Sequence, residues 1–399
     1  MLIWLMQANN TDGKTLGRSR HLPYLDGLRG LAALYVVLHH GYREVFGSPT
    51  TYAPPPSLVR YAAHLLSYGH FAVGIFIVLS GYCLMLPVAR SSGSLRGGFR
   101  QYLFRRSRRI LPPYYAALVL SLLLIALVPG MNQISGIRWD IALPALTPGA
   151  IISHIFLLHN VTNWIYAITP PMWSVATEWQ IYFLFPVLLL PVWRRFGSMA
   201  TIGVAFSFGL APHFLLPQSD TACPWFLGLF ALGMVAAVIN VSSPISFKQM
   251  IEWSTVLGVA TTTVFLVIAF KHQHWLWEHL YIMDMLLGVA VACLLVYCTS
   301  YCYVREESSH PFVLKFMASR YCVLLGVFSY SLYLVHVPVL SLLHLWIIPL
   351  GLSSTIALVF FLSIGTLSSL AVSYLFHLLF ERRFMQSPLK IASPENSAL

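Results

Sequence analysis

His40 stands eleven residues after Arg29 in an apolar run that opens Leu25-Asp26-Gly27-Leu28-Arg29-Gly30 and closes Val37-Leu38-His39-His40-Gly41. On an α-helix, eleven steps make three turns plus about 20°, which puts His40 on Arg29's face and about 16 Å farther along. His39 then points about 80° away from that face. A neutral imidazole can take a hydroxyl proton or carry a transferred group on a ring nitrogen. The sequence leaves both roles open, together with the plain role of a histidine bonded to a carbonyl. A second deep histidine, His336, closes Tyr330-Ser331-Leu332-Tyr333-Leu334-Val335-His336. Glu178, in Trp173-Ser174-Val175-Ala176-Thr177-Glu178, has no basic neighbour in sequence. A histidine of another helix is therefore its expected partner, with Tyr182 one turn later on the same face. Arg105, Arg106, Arg108 and Arg109 put four guanidinium groups into five positions before Ile110-Leu111-Pro112-Pro113. One charge would anchor a helix end, whereas planar forks grip phosphate bidentately. The loop reads as a lipid-headgroup anchor or as a clamp for an anionic ligand.

The elements that position these groups must lie in lipid. Of 399 residues, 58% are hydrophobic and 9% are charged, with a mean hydropathy of +0.73; soluble domains carry about 25% charged residues. Ten apolar segments are long enough to cross a bilayer: 27–46, 69–89, 110–129, 176–193, 199–216, 223–241, 252–270, 280–302, 323–347 and 354–379. The stretch 148–168, broken by His154, His159, Asn160 and Asn163, reads as a long external loop or a re-entrant helix. With the N-terminus inside, 20 of the 24 Lys and Arg residues fall on the cytoplasmic side, leaving Arg43, Arg60, Arg138 and Lys271 outside. The expected fold is thus all-α, a polytopic transmembrane helical bundle of about ten spans in the cell membrane, both termini cytoplasmic. Residues 1–25 form a lead, 26–380 the membrane domain and 381–399 a disordered tail, with no appended soluble domain. The net charge of +11 and pI of about 9.5 fit loops facing anionic lipid rather than nucleic acid. The six cysteines form no C-x-x-C and read as packing residues, and no spacing marks a metal site. Trp139, Trp164 and Trp173 suit a membrane interface or a sugar face, and Asn160-Val161-Thr162 is a glycosylation sequon. His40, His336 and Glu178 fall in the outer half, and Arg29 with the arginine loop at the cytoplasmic face. That separation fits a phosphorylated donor inside and an acceptor outside.

Tyr24-Leu25-Asp26-Gly27-Leu28-Arg29-Gly30 with the Arg29-to-His40 spacing, Phe76-Ile77-Val78-Leu79-Ser80-Gly81-Tyr82 and the arginine loop occur in that order. Trp173-to-Glu178 with Tyr182 and Pro186, then Tyr330-to-His336, follow. Together the chain resembles the acyltransferase-3 family of integral-membrane O-acyltransferases over residues 20 to 385. The resemblance implies transfer of an acyl group, usually acetyl, from a coenzyme A thioester to a hydroxyl of a saccharide or other cell-envelope acceptor. It implies His40 with Arg29 as the essential pair, Glu178 as the carboxylate, and Arg105, Arg106 and Arg109 toward the coenzyme A phosphates. Asp26, Ser80, Trp173, Tyr182, Tyr333 and His336 are further site candidates. Acyl-coenzyme A is a cosubstrate, and no permanently bound cofactor is implied. The chain departs from the pattern at Arg383, where a proline is expected. Two other readings stand beside this one. The acceptor is a small hydroxylated metabolite such as a macrolide, or the protein is a secondary transporter with proton-relay histidines. Paired halves with interrupted helices would mark a transporter, and the sequence has no such symmetry.

Overall fold

The computed structural model describes residues 21–47, 52, 56–137, 139, 146–242, 247–270 and 273–385. Residues 1–20 of the lead, 386–399 of the tail, and Lys14, Arg18, Arg20, Arg138, Lys271 and Lys390 of the charge pattern lie outside them. Helix α1 (Pro23–Phe46) starts on a proline, whose missing N–H has no intrahelical partner to lose in a first turn. It is followed by α2 (Ser57–His64) and α3 (Gly69–Arg90), then α4 (Gly98–Leu127) with the arginine cluster in its first third. Next come α5 (Pro148–Ile155), α6 (Met172–Leu184), α7 (Leu190–Leu215) and α8 (Phe226–Ser242). After α9 (Phe247–Phe270) and α10 (Gln273–Glu278), α11 (Leu280–Val304) and α12 (Phe312–Met317) lead into α13 (Arg320–Val327). The chain closes on α14 (Ser329–Ile347), α15 (Ser354–Phe360) and α16 (Thr366–Phe376). Among the described residues the protein is all-helical, with no strand.

Seven helical stretches of the described residues are long and apolar enough to cross a membrane: Ser57–Arg90, Gly98–Leu127, Met172–Leu215, Glu252–Ala269, Leu280–Val304, Ser329–Leu350 and Ser354–Phe384. Three features account for the difference from ten. α1 carries Asp26, Arg29, Arg43 and Glu44, too many charges for an ordinary apolar span. α8 is apolar but has 17 residues. The 44-residue stretch Met172–Leu215 is broken at Gly197, whose φ of 80° only glycine adopts without strain. Expected segments 176–193 and 199–216 are the two sides of that break.

The stretch 148–168 does not cross. Its one helix, α5, has eight residues and spans about 12 Å, well short of a ~30 Å hydrocarbon core. It is tied down instead. Asn160 and Gln180 exchange amide hydrogen bonds of 3.1 and 2.8 Å, and Gln180 Nε2 also donates to Leu157 O at 3.1 Å. Asn160, fully buried and bonded to Thr177 as well, leaves the sequon no accessible amide in the folded protein. His154 and His159 stack in parallel, ring centres 4.0 Å apart and both fully buried. Burial depresses both, His154 to about 4 and His159, beside it, to about 3.

The core gathers around α1 and α3. A Cβ on Gly30 would stand 2.6 Å from Cys322 O, so only glycine lets α1 press this closely on α13. Helix α9 lies against α11, and none of Glu252–Ala269 is buried, as for a helix facing lipid. Four of the six cysteines, Cys223, Cys293, Cys298 and Cys322, are buried. Trp139 is buried in the core, which removes it from the surfaces open to a sugar.

Candidate active site

Two cavities open along α1. The first, about 300 Å³, is lined by Arg29, Arg106, Arg109, Asp26, Glu178 and Tyr182, with His21 from just before α1 and Met385 from beyond α16. Arg29 donates to Asp26 Oδ1 at 3.3 Å and reaches Cys83 Sγ at 3.8 Å. His21, just before α1, bonds through Nε2 to Asp26 Oδ2 at 2.9 Å, and that bond raises its pKa. Among the described residues Glu178 bonds no histidine. Its Oε1 accepts from Ser80 Oγ at 2.5 Å and from the Tyr182 hydroxyl, so its expected outer-half neighbours give way to the guanidinium groups of this chamber. The reason is tertiary: α3 brings Ser80 across from α6, and one turn of α6 brings Tyr182.

The arginine cluster divides. Arg106 and Arg109 line the chamber and, among the described residues, have no carboxylate within 4.0 Å, and Arg106 Nε is buried there without a partner. Arg105 turns outward to donate to Arg96 O at 2.8 Å and does not line the chamber. A loop carbonyl within reach of a long, flexible side chain accounts for its departure from the clamp. The chamber's third carboxylate, Glu381, is taken up by Ser331 Oγ (2.5 Å) and His377 Nδ1 (2.9 Å). Two guanidinium groups thus face the cavity without a direct carboxylate partner among the described residues, a donor set suited to an anionic ligand with several phosphate oxygens.

The second cavity, about 250 Å³, is lined by His39, His40, Arg43, His70, Trp173 and Trp277. Val73 and Tyr333 line both cavities and form the partition between them. The Tyr333 hydroxyl is fixed to Ser174 Oγ at 2.6 Å. Arg29 and His40, on one face of α1, therefore open onto different chambers. His336 lines neither; fully buried, its Nε2 lies 3.2 Å from His40 Nδ1.

The hydrogen-bond network assigns the tautomers of that pair. His336 Nδ1 sits 2.9 Å from Leu332 O, which can only accept, so Nδ1 carries the proton and Nε2 the lone pair. His40 Nδ1 faces that lone pair and, at 3.0 Å, Val36 O, so it too is the donor. With both rings neutral, the lone pair of His40 is on Nε2. This is the nitrogen a base or nucleophile needs. His39 is held through Nδ1 by Leu66 O (2.7 Å) and the amide of Gly69 (3.2 Å).

Sequence reasoning passed over His70, Asp284, Arg43 and His21. Asp284, in the span 280–302, is fully buried and accepts from His70 Nε2 at 3.0 Å and Trp225 Nε1 at 2.8 Å. A carboxylate inside an apolar span is itself the signal that could have found it. Among the described residues no group of three metal-ligating side chains converges.

A family model described as an acyltransferase domain matches residues 22–378, nearly the whole chain. The chain belongs to the acyltransferase-3 family. Its apolar helices make it a multi-pass membrane protein. A Staphylococcus aureus (strain COL) protein provisionally named an O-acetyltransferase is 24% identical over 373 residues, covering 84% of this chain and 54% of its own length. O-acetyltransferase OatA of Staphylococcus aureus (strain NCTC 8325 / PS 47) is 25% identical over 356 residues, covering 80% of this chain and 51% of its own. The chain thus spans about half the length of these curated relatives. No solved structure matches it.

Proposed function

We propose that this acyltransferase moves an acyl group, acetyl in the first instance, from cytoplasmic acyl-coenzyme A to a hydroxyl of a cell-envelope saccharide on the other face of the cell membrane. The observation that carries the reading is the pair of chambers divided by Val73 and Tyr333, with the guanidinium groups of Arg106 and Arg109, neither in an ion pair among the described residues, on one side and His40 on the other. Ten crossings with both termini inside fit it: the seven apolar stretches, plus α1, α8 and the second pass created at Gly197. Arg106 and Arg109 hold the donor's phosphates, and Arg29, steadied by Asp26, adds a third fork. The acyl end reaches past Tyr333 to His40 Nε2. That nitrogen forms a bond to the thioester carbonyl carbon, the carbon–sulfur bond breaks, and the thiolate leaves to be protonated. The acylated ring gives its Nδ1 proton to His336 Nε2, already aimed at it. Glu178, fixed by Ser80 and Tyr182, balances the arginine charge, and Trp173 offers the acceptor an aromatic face.

The test uses membranes holding wild type or His40→Ala with radiolabelled acetyl-coenzyme A. Label in an envelope saccharide fraction that requires His40 supports the reading. Label in a small-metabolite fraction would move the acceptor to that class, and no His40-dependent label in either would overturn the proposal.

A further inference from the structure

The proposed route leaves one proton without a destination. When an acceptor hydroxyl attacks acyl-His40, its proton must leave as the new bond forms. His40 cannot take it then: Nε2 carries the acyl group, and Nδ1 faces Val36 O and His336. His336 lines neither chamber, and His39 on the second chamber's wall is held by the Leu66–Gly69 turn. His70, at the start of α3, stands on the same wall set against a buried carboxylate, which is what singles it out.

His70 is built as a base. Its Nε2 donates to Asp284 Oδ2, which fixes the tautomer and leaves the lone pair on Nδ1, and this is its one side-chain hydrogen bond among the described residues. Its ring lies parallel to that of Trp173, centres 6.0 Å apart, so it cannot turn freely. Asp284 is fully buried, and Trp225 donates to the same oxygen that His70 bonds. A buried carboxylate is costly in an apolar span, and a tie between α3 and α11 needs none. A carboxylate opposite an imidazole is the arrangement that stabilises the imidazolium formed as a proton arrives.

We propose that His70, aligned by Asp284, is the catalytic base for the second half of the transfer. The acceptor oxygen forms its bond to the acyl carbon, the carbon–nitrogen bond to His40 Nε2 breaks and its electron pair returns to that nitrogen, while His336 Nε2 gives the proton back to His40 Nδ1 and both rings are again neutral. The hydroxyl proton goes to His70 Nδ1, giving an imidazolium paired with Asp284. This assignment rests on His40 as acyl carrier.

The test quenches wild-type, His70→Gln and Asp284→Asn membranes at short times after radiolabelled acetyl-coenzyme A. It counts label bound to the protein and label in the endogenous saccharide fraction. His70→Gln is expected to acylate at the wild-type rate, which also certifies its fold, to accumulate protein-bound label, and to lose saccharide labelling about 100-fold or more. Hydroxylamine, a nucleophile that needs no base, should strip that label from wild type and variant equally fast. Asp284→Asn, which keeps the side chain's shape, should show the same accumulation with a loss of about tenfold. Protein-bound label in the wild type with saccharide labelling by His70→Gln within twofold of it would overturn the His70 role alone. Parallel loss of both labels in both variants would reduce the pair to a structural tie. Saccharide label without protein-bound label in the wild type would overturn the carrier reading, and the base role with it.

Discussion

The two chambers are of similar size and use opposite chemistry. One is walled by groups whose charge is fixed at any physiological pH, the guanidinium forks of Arg29, Arg106 and Arg109. The other is walled mainly by imidazoles, whose protonation can change during a reaction, and by aromatic rings, with Arg43 as its fixed charge. In the proposed function this contrast divides binding from bond-making, and α1 serves both, with Asp26 and Arg29 in one chamber and His39, His40 and Arg43 in the other.

The separation breaks most severely at His40. His40→Ala is expected to lower saccharide labelling by about 10³-fold or more while the protein stays in the membrane, because no other imidazole shares its hydrogen bond to His336. Retained labelling would remove His40 from the chemistry. Arg106→Ala with Arg109→Ala should raise the KM for acetyl-coenzyme A about 10- to 100-fold with kcat held, in titrations of donor against rate. An unchanged KM would return both to anchoring. The buried His154–His159 pair offers a third measurement. Both rings are depressed below the ordinary 6.5, so their contribution to stability is full above that value and is lost as pH falls toward 4 and 3. The cost reaches about 2 kcal/mol per ring near pH 5. The melting midpoint in detergent should fall between pH 6.5 and 4.5, and a His154→Phe/His159→Phe variant should lose part of that fall. An identical pH dependence would show that the rings ionise alike folded and unfolded. The smallest effect sharpens the comparison: Arg105→Ala, outside the chamber, should leave the KM for acetyl-coenzyme A within twofold.

Whatever depends on helical periodicity was legible from the residues. The shared face of Arg29 and His40 follows from 100° per residue, and the pairing of Tyr182 with Glu178 from a four-residue step. The all-helical, lipid-embedded architecture follows from hydropathy. Partners across helices were not legible: Glu178 suited a histidine until α3 supplied Ser80. The arginine cluster, which the structure places in α4 rather than in a loop, could not be sorted by spacing, because a carbonyl at Arg96 decides where Arg105 goes. Asp284 was visible as a lone acid in an apolar run, but its meaning depends on His70, 214 residues away.

The partition of Val73 and Tyr333 has an electrical consequence. Moving one elementary charge through a membrane held at 100 mV involves about 2.3 kcal/mol, and a phosphorylated donor carries several such charges. In the proposed route the nucleotide stays on one side, so none of its charges traverses the field. The thiolate takes up a proton on the donor side and the acceptor hydroxyl gives one up on the other, so each turnover displaces the equivalent of one charge, about 2.3 kcal/mol at 100 mV, rather than the several that moving the donor itself would involve.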